Sequence, residues 1–218
     1  MNPAQLRILE IYDSIQGESS LAGTPCTLVR LAGCPLRCDY CDTPQGLAKD
    51  SGAPMSVDAI VERVRASMRP LVLVTGGEPM AQRALPELLK ALSALPAIVQ
   101  LETSGAYDIC SIEPPVRRIL DVKTPASGES ARNKWSNLEN LRSGDEVKFV
   151  LCDERDYAWS RDIVRQRLRA SPATILFSPC WGRLEPHQLA EWILRDHLEV
   201  RLQLQLHKYI WGSEATGV

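Results

Sequence analysis

Three cysteines, Cys34, Cys38 and Cys41, fall within eight residues of the stretch LAGCPLRCDYCDTPQG (31–46). Thiolates are soft ligands that hold zinc or iron–sulfur centres. A closed zinc site takes four tetrahedral ligands, and structural sites usually supply them as paired CxxC units. Here the local set stops at three. Cys26, Cys110, Cys152 and Cys180 are scattered through strand-like or turn segments and form no second pair, so each is expected as a small core residue. On a four-iron, four-sulfur cluster, three thiolates leave one iron without a protein ligand. A small molecule can coordinate at that vacancy and receive an electron.

The second stretch with chemical content is LVLVTGGEP (71–79). A buried run ends in Gly76 and Gly77, whose missing side chains let backbone groups come close to a ligand. Glu78 and Pro79 then turn the chain towards a helix. Polar groups also end other apolar runs, at 102–104, 121–124 and 178–181.

The elements that must position these groups follow from periodicity. Short branched-aliphatic runs predict buried strands at 26–31, 71–75, 97–102, 118–122, 146–151, 174–177 and 200–206. Helical patterns stand between several of them, at 57–68, 85–95, 157–169 and 186–197. This alternation predicts an α/β fold with a mainly parallel sheet and helices outside it. The carboxyl ends of such strands converge on one mouth, which a half-open barrel would gather around the cysteine loop. The longest connection, from 31 to 71, carries the cysteines, as functional loops often do. The polar stretch 124–143 is expected to be a solvated, mobile insertion with a short helix.

With 218 residues, one domain spanning 1–218 is expected. The net charge of −2 offers no electrostatic attraction to nucleic acid or to an anionic membrane. Arg7, Glu10, Asp13 and Glu18 interrupt the N-terminal apolar residues, so no signal-peptide core is expected, and no segment reaches the roughly 20 apolar residues of a membrane span. The cytoplasm is the expected location, where seven cysteines read as reduced thiols and a metal site.

CxxxCxxC followed by GGEP resembles the radical S-adenosylmethionine superfamily. IYDSIQGES (11–19), RLAGCPLRCDYCDT (30–43), ETSG (102–105), DVKTP (121–125) and LQLHKYIWG (204–212) narrow the likeness. Together they resemble the 7-carboxy-7-deazaguanine synthase family, nearly end to end. The resemblance implies a partial (β/α) barrel of the radical S-adenosylmethionine type. It also implies a reaction: 6-carboxy-5,6,7,8-tetrahydropterin becomes 7-carboxy-7-deazaguanine, with ring contraction and loss of ammonia, in the route to queuosine. A 4Fe-4S cluster, S-adenosylmethionine, Mg2+, a flavodoxin or ferredoxin reductant and a homodimer belong to the same expectation. Two other readings share the cysteines: a glycyl-radical activating enzyme, against which the QGE and HKY segments argue, and a non-catalytic zinc or iron–sulfur module.

Carried across by position, the resemblance makes Cys34, Cys38 and Cys41 the cluster ligands. Tyr40, Gly76, Gly77, Glu78, Asp121, Val122, Lys123, Ser178, Pro179, Cys180 and Trp181 would hold S-adenosylmethionine. This chain departs from some relatives there, with SPCW at 178–181 in place of a Gln-Pro pair, and with Asp121 and Val122 in place of Ser and Pro. The substrate pocket would comprise Ile15, Gln16, Gly17, Glu18, Arg30, Thr75, Glu102, His207 and the C-terminal Val218, although the tail after HKY is longer than in relatives. A flat pterin has amide-like edges for Gln and Glu, and a carboxylate that Arg30 can take in bidentate fashion. Read without the resemblance, Arg30 fits a surface ion pair, and His207 an ordinary hydrogen-bonded histidine. Thr43 would be a turn or cap residue, whereas the resemblance makes its hydroxyl a Mg2+ ligand.

Overall fold

The computed structural model describes residues 4–218. The apolar runs become strands of one sheet: β1 (Gln5–Ile15), β2 (Pro25–Leu31), β3 (Ala53–Ser56), β4 (Leu71–Gly76), β5 (Ile98–Thr103), β6 (Arg117–Asp121), β7 (Glu146–Leu151), β8 (Thr174–Pro179) and β9 (Arg201–Leu202). Their spatial order is β3-β1-β2-β4-β5-β6-β7-β8-β9. From β2 to β9 every pairing is parallel, and β1 runs antiparallel to both of its neighbours. Helices α1 (Val57–Ser67), α2 (Leu85–Leu92), α3 (Glu154–Ile163) and α4 (Pro186–Arg195) lie in crossovers, as expected for a parallel sheet. A short α5 (Leu206–Trp211) follows β9.

Alternation along the strands sorts side chains between two faces. On the helix-covered face, Val72, Val74, Val99 and Leu101 pack with Ile60 and Val64 of α1 and with Leu88 and Leu92 of α2. Further along, Val147, Phe149, Ile175 and Phe177 meet Tyr157 of α3 and Leu189 of α4. Each fully buried Leu or Phe stabilises the fold by about 1.5–3 kcal/mol. The open face carries a small apolar group, Leu28, Leu73 and Ile119, and Val150 of a second such group also lines the cavity. Two residues further along those strands stand Arg30, Thr75 and Asp121, with Glu102 on β5 between them. The period of two thus turns an apolar floor into a polar mouth.

β1 was hidden by an irregularity. Its register shifts between Ile8 and Glu10, so Leu6, Ile8 and Ile11 all join the helix-side core although their spacing is not even. A bulge of this kind breaks the alternation by which strands are recognised. It also swings Glu10 opposite Arg30 and Tyr12 opposite Leu28. The last strand is shorter than the predicted 200–206: the Gln203 amide still donates to Phe177 O of β8 (2.9 Å), while the side chains of Gln203 and Gln205 bond the Ser19 amide and Glu18. The helix predicted at 157–169 starts earlier, capped by Asp153, whose carboxylate accepts from the amides of Arg155 and Asp156, and ends in a π-type turn over 164–168.

The stretch 124–143 is not the loose insertion predicted. It folds as three short 3-10 turns with Thr124, Ser127 and Asn137 buried. It also docks on the cysteine loop: the Asp39 amide donates to Ser127 O (3.1 Å) and the Arg37 amide to Glu129 Oε1 (2.6 Å).

The loop 16–24 bends across the open face. Gln16 Nε2 donates to Gln100 Oε1 of β5 (2.7 Å), the Ser20 amide to Glu146 Oε1 of β7 (3.0 Å), and the Ser19 amide to Gln203 Oε1 (2.7 Å). Five strands separate β2 from β9, yet the segments next to them meet, with the Leu206 amide donating to Gly17 O (2.8 Å). The sheet is therefore curled into a partial barrel that remains open at its side.

Candidate active site at the mouth of the sheet

A cavity of about 630 Å³ occupies the open face at the carboxyl ends of the strands. That size suits a small-molecule site. Cys34, Cys38 and Cys41 all line it. Their loop is docked by backbone bonds, from the Gly33 amide to Gly46 O (2.8 Å), from the Cys34 amide to Leu47 O (3.1 Å) and from the Glu78 amide to Gly33 O (2.8 Å). Gly76 and Gly77 reach the cavity wall as expected, but the reason for glycine is packing. A Cβ on Gly77 would run into the backbone of Gly33 and Gly46, and one on Gly76 into the backbone of Leu31. The paired glycines let the β4 turn lie flush against the cysteine loop.

Among the described residues, no three His, Cys, Asp or Glu side chains converge as the ligands of a single ion. Three half-buried thiols on one loop line the cavity, a donor set that suits three corners of an iron–sulfur cluster. Burial pushes the Cys38 thiol up to about 11 and raises Cys34 as well, while Lys123 opposes both shifts. Metal binding must displace those protons.

Four residues expected around S-adenosylmethionine do not line the cavity. Glu78 is fully buried, and its carboxylate accepts from the Met80 amide (2.8 Å), Thr103 Oγ1 (2.9 Å), the Ser104 amide (2.7 Å) and the Ser104 hydroxyl. It ties the β4 turn to the ETSG segment. The Val122 side chain is buried with the helix-side core. Ser178 and Pro179 are buried within β8, behind the wall. Cys180 and Trp181, one turn later, do line it, together with Tyr40, Asp121 and Lys123.

Asp121 presents a distinctive group. Its Oδ2 pairs with Lys123 Nζ (3.0 Å) and Lys148 Nζ (3.5 Å), while its buried Oδ1 has no partner. Burial would raise this carboxyl, but Lys123 and Lys148 outweigh it and hold the group below the usual carboxylate range. The Tyr40 hydroxyl is likewise buried without a partner. An unsatisfied anionic oxygen beside three thiols suits a ligand that carries an amino group.

Ile15, Gln16, Gly17, Glu18, Arg30, Thr43, Thr75, Glu102, His207 and Val218 all line the same cavity. The Gln16 side chain is partly committed, since it bonds Gln100 and also accepts from the Glu18 amide (3.2 Å). Arg30 is no surface ion pair: only 17% exposed, it donates through Nε to Glu10 Oε1 (2.6 Å), which leaves its terminal nitrogens towards Tyr12 and Thr43 (3.4 Å each). The tail, residues 212–218, folds along the mouth and brings Val218 to its rim.

The QGE and HKY segments belong together because they touch. A Cβ on Gly17 would overlap the His207 ring. Gly17→Val is therefore expected to displace His207 and raise the KM for substrate by about tenfold or more, with cluster content unchanged. Steady-state kinetics alongside iron analysis checks this. Burial lowers the His207 pKa and so favours the neutral ring.

Sequence reasoning missed Lys148, Asp42, Gln205 and Lys208, which also line the cavity. Lys148 is buried on β7 with its ammonium on Glu18 Oε2 (2.6 Å), on Glu102 and near Asp121. The signal was a cation, two residues after Glu146, inside the fully buried strand EVKFVL. Burial would lower the Lys148 pKa, but the three carboxylates hold it well above its ordinary value.

Comparisons with known proteins agree with this geometry. Residues 28–121 match the model of the radical SAM superfamily. The chain is 46% identical to the 7-carboxy-7-deazaguanine synthase of Chlorobaculum tepidum, over 99% of this chain and 98% of the relative. It is 41% identical to the synthase of that name from Koribacter versatilis, over 98% of this chain and all of the relative. A crystal structure of QueE from Escherichia coli superposes with a TM-score of 0.74 at 22% identity, covering 93% of this chain and 95% of that one, which supports the fold. On these likenesses the chain belongs to the 7-carboxy-7-deazaguanine synthase family, within the radical SAM superfamily.

Proposed function

We propose that this chain converts 6-carboxy-5,6,7,8-tetrahydropterin to 7-carboxy-7-deazaguanine, with ring contraction and loss of ammonia, as a radical S-adenosylmethionine enzyme of queuosine biosynthesis. One observation carries the reading: a single cavity is lined by the three thiols and by Arg30, Glu18, Glu102 and His207. When bound, the cluster and S-adenosylmethionine would supply radical hydrogen-abstraction chemistry. The protein residues bind and orient.

Cys34, Cys38 and Cys41 would hold the cluster. Asp121 Oδ1, the only unpaired oxygen of that carboxylate, would take the methionine amino group. Lys123 keeps Asp121 ionised from beside it. Cys180 and Trp181 close that end of the wall. Arg30 would grip the substrate carboxylate with its free nitrogens, while Glu18 and Glu102 would accept from the N–H edge of the ring. The tail folded over the mouth limits water entry.

For Mg2+, the hard oxygens available are the Thr43 hydroxyl and the Asp42 carboxylate, whose Oδ1 accepts from Thr43 (3.1 Å). Arg30 Nη1 lies 3.4 Å from the same hydroxyl, so a substrate carboxylate on Arg30 would share that ion. Thr43→Ala is expected to weaken Mg2+ stimulation of turnover while cluster content stays full. A metal response identical to wild type would strike Thr43 from the site. A one-electron protein reductant and a homodimer complete the proposal. Among the described residues, no helix is long and apolar enough to cross a membrane.

The deciding experiment is anaerobic. Protein reconstituted with iron and sulfide, then given S-adenosylmethionine, Mg2+ and the carboxylated tetrahydropterin, should form the deazaguanine acid. Tightly held zinc, with neither S-adenosylmethionine binding nor product, would point instead to a non-catalytic module.

A further inference from the structure

Three carboxylates from three parts of the chain converge on Lys148. Glu18 comes from the loop after β1, Glu102 from β5 and Asp121 from the end of β6. The two glutamates are each fixed twice. Glu18 Oε2 accepts from Lys148 (2.6 Å) and its Oε1 from Gln205 Nε2 (2.8 Å). Glu102 Oε1 accepts from Lys148, and its Oε2 from Thr75 Oγ1 (3.2 Å). Each carboxylate has about four lone-pair positions, so both keep acceptor capacity after these bonds. Both line the cavity, as does Lys148.

We propose that Lys148 is a positioning residue that holds Glu18 and Glu102 as a paired anionic acceptor for the N–H edge of the substrate ring. The proposal rests on the pterin reading above and adds to it a determinant of ring recognition. Two half-buried carboxylates on one small volume repel each other, and without a cation between them one is favoured to take up a proton. Once one takes up a proton it becomes a donor, and the match to an N–H edge is lost. Lys148 removes that conflict, and its depth on β7, only 5% exposed, keeps the ammonium from being replaced by water.

The other charged groups around this pair are Asp121 from β6 and Lys123 just after it, Glu146 two residues before Lys148 on β7, His207 and Lys208 from α5, Asp42 from the cysteine loop and Arg30 from β2. All of them persist when Lys148 alone is changed, so a difference in pH dependence between wild type and variant reports on Lys148.

The test is equilibrium binding of 6-carboxy-5,6,7,8-tetrahydropterin to cluster-loaded protein, with S-adenosylmethionine present and no reductant, from pH 6 to 8. For Lys148→Met we expect affinity at pH 6 to fall roughly 30-fold or more relative to wild type. That deficit should shrink as the pH rises, because binding to the variant must first release the proton shared by the glutamates. Lys148→Arg should keep the wild-type profile. Lys148→Met combined with Glu102→Gln leaves Glu18 as the single carboxylate of the pair, with Asp121 still matched by Lys123, and its profile should again parallel wild type even though affinity stays low. A pH-independent loss in Lys148→Met, as general misfolding would give, overturns the proposal, and so does unchanged affinity. Should Lys148→Met fail to fold, a Lys148→Arg profile that departs from wild type overturns it, while a parallel one supports it. No binding by wild type at any pH removes the pterin reading itself, and this inference with it.

Discussion

Cys38→Ala is expected to give a folded chain that assembles no four-iron cluster and cleaves no S-adenosylmethionine. Two thiolates cannot retain a cluster that already carries one iron without a protein ligand. The fold should survive because the loop does not depend on the thiol: it is pinned by the Gly33, Cys34, Asp39 and Glu78 amides and by Glu129 on the Arg37 amide. Cys38 is also only half-buried, and removing its sulfur opens space that already faces a cavity. Iron and sulfide content with the visible spectrum, next to circular dichroism, separates loss of the cluster from loss of the fold. Retention of a full four-iron spectrum would exclude Cys38 as a ligand.

Arg118→Met is expected to cost about 3–5 kcal/mol of stability, because it strands a buried carboxylate. Arg118 and Asp145 are each 2% exposed, and the guanidinium meets Asp145 through Nε (3.0 Å) and Nη2. It also donates to Ile109 O (3.2 Å) and Asn140 O (2.6 Å). Pairing the change with Asp145→Leu should recover only part of the loss, since Asp145 also accepts from the backbone amides of Arg118 (3.0 Å) and Arg142 (2.8 Å). The pair sits at the start of β6 and just before β7, at the end of the sheet opposite the mouth. Below the lowered transition, S-adenosylmethionine affinity should therefore match wild type. Urea midpoints at constant slope measure the stability change. A shift below about 1 kcal/mol would mean that solvent reaches Asp145 once the arginine is gone.

Particular residues show where reading the chain succeeded and where it stopped. The parallel strands and their helices were legible because apolar runs and helical spacing are local, and each buried run is its own evidence. β1 was not, because a single bulge between Ile8 and Glu10 shifts which side of the strand is buried. Cys110, expected in the core with the other scattered cysteines, is exposed, whereas Cys26, Cys152 and Cys180 are buried. Glu78 carries the right letter in the right segment and yet points into Thr103 and Ser104, since a fully buried carboxylate must find its donors wherever the fold supplies them.

What the chain determined by itself was chemistry of short reach: three thiols on one loop, a glycine turn after a buried strand, and a fold class written in the period of its apolar residues. The tertiary structure alone decided which charges share a space. Lys148 meets Glu18 across 130 residues, and Gln205 meets the same glutamate across 187. Such contacts arise only when the sheet curls and the loop after β1 bends across its open face to meet β7 and the segment after β9. No local pattern records them, because the energy of a buried ion pair depends on the distance and burial of both partners at once.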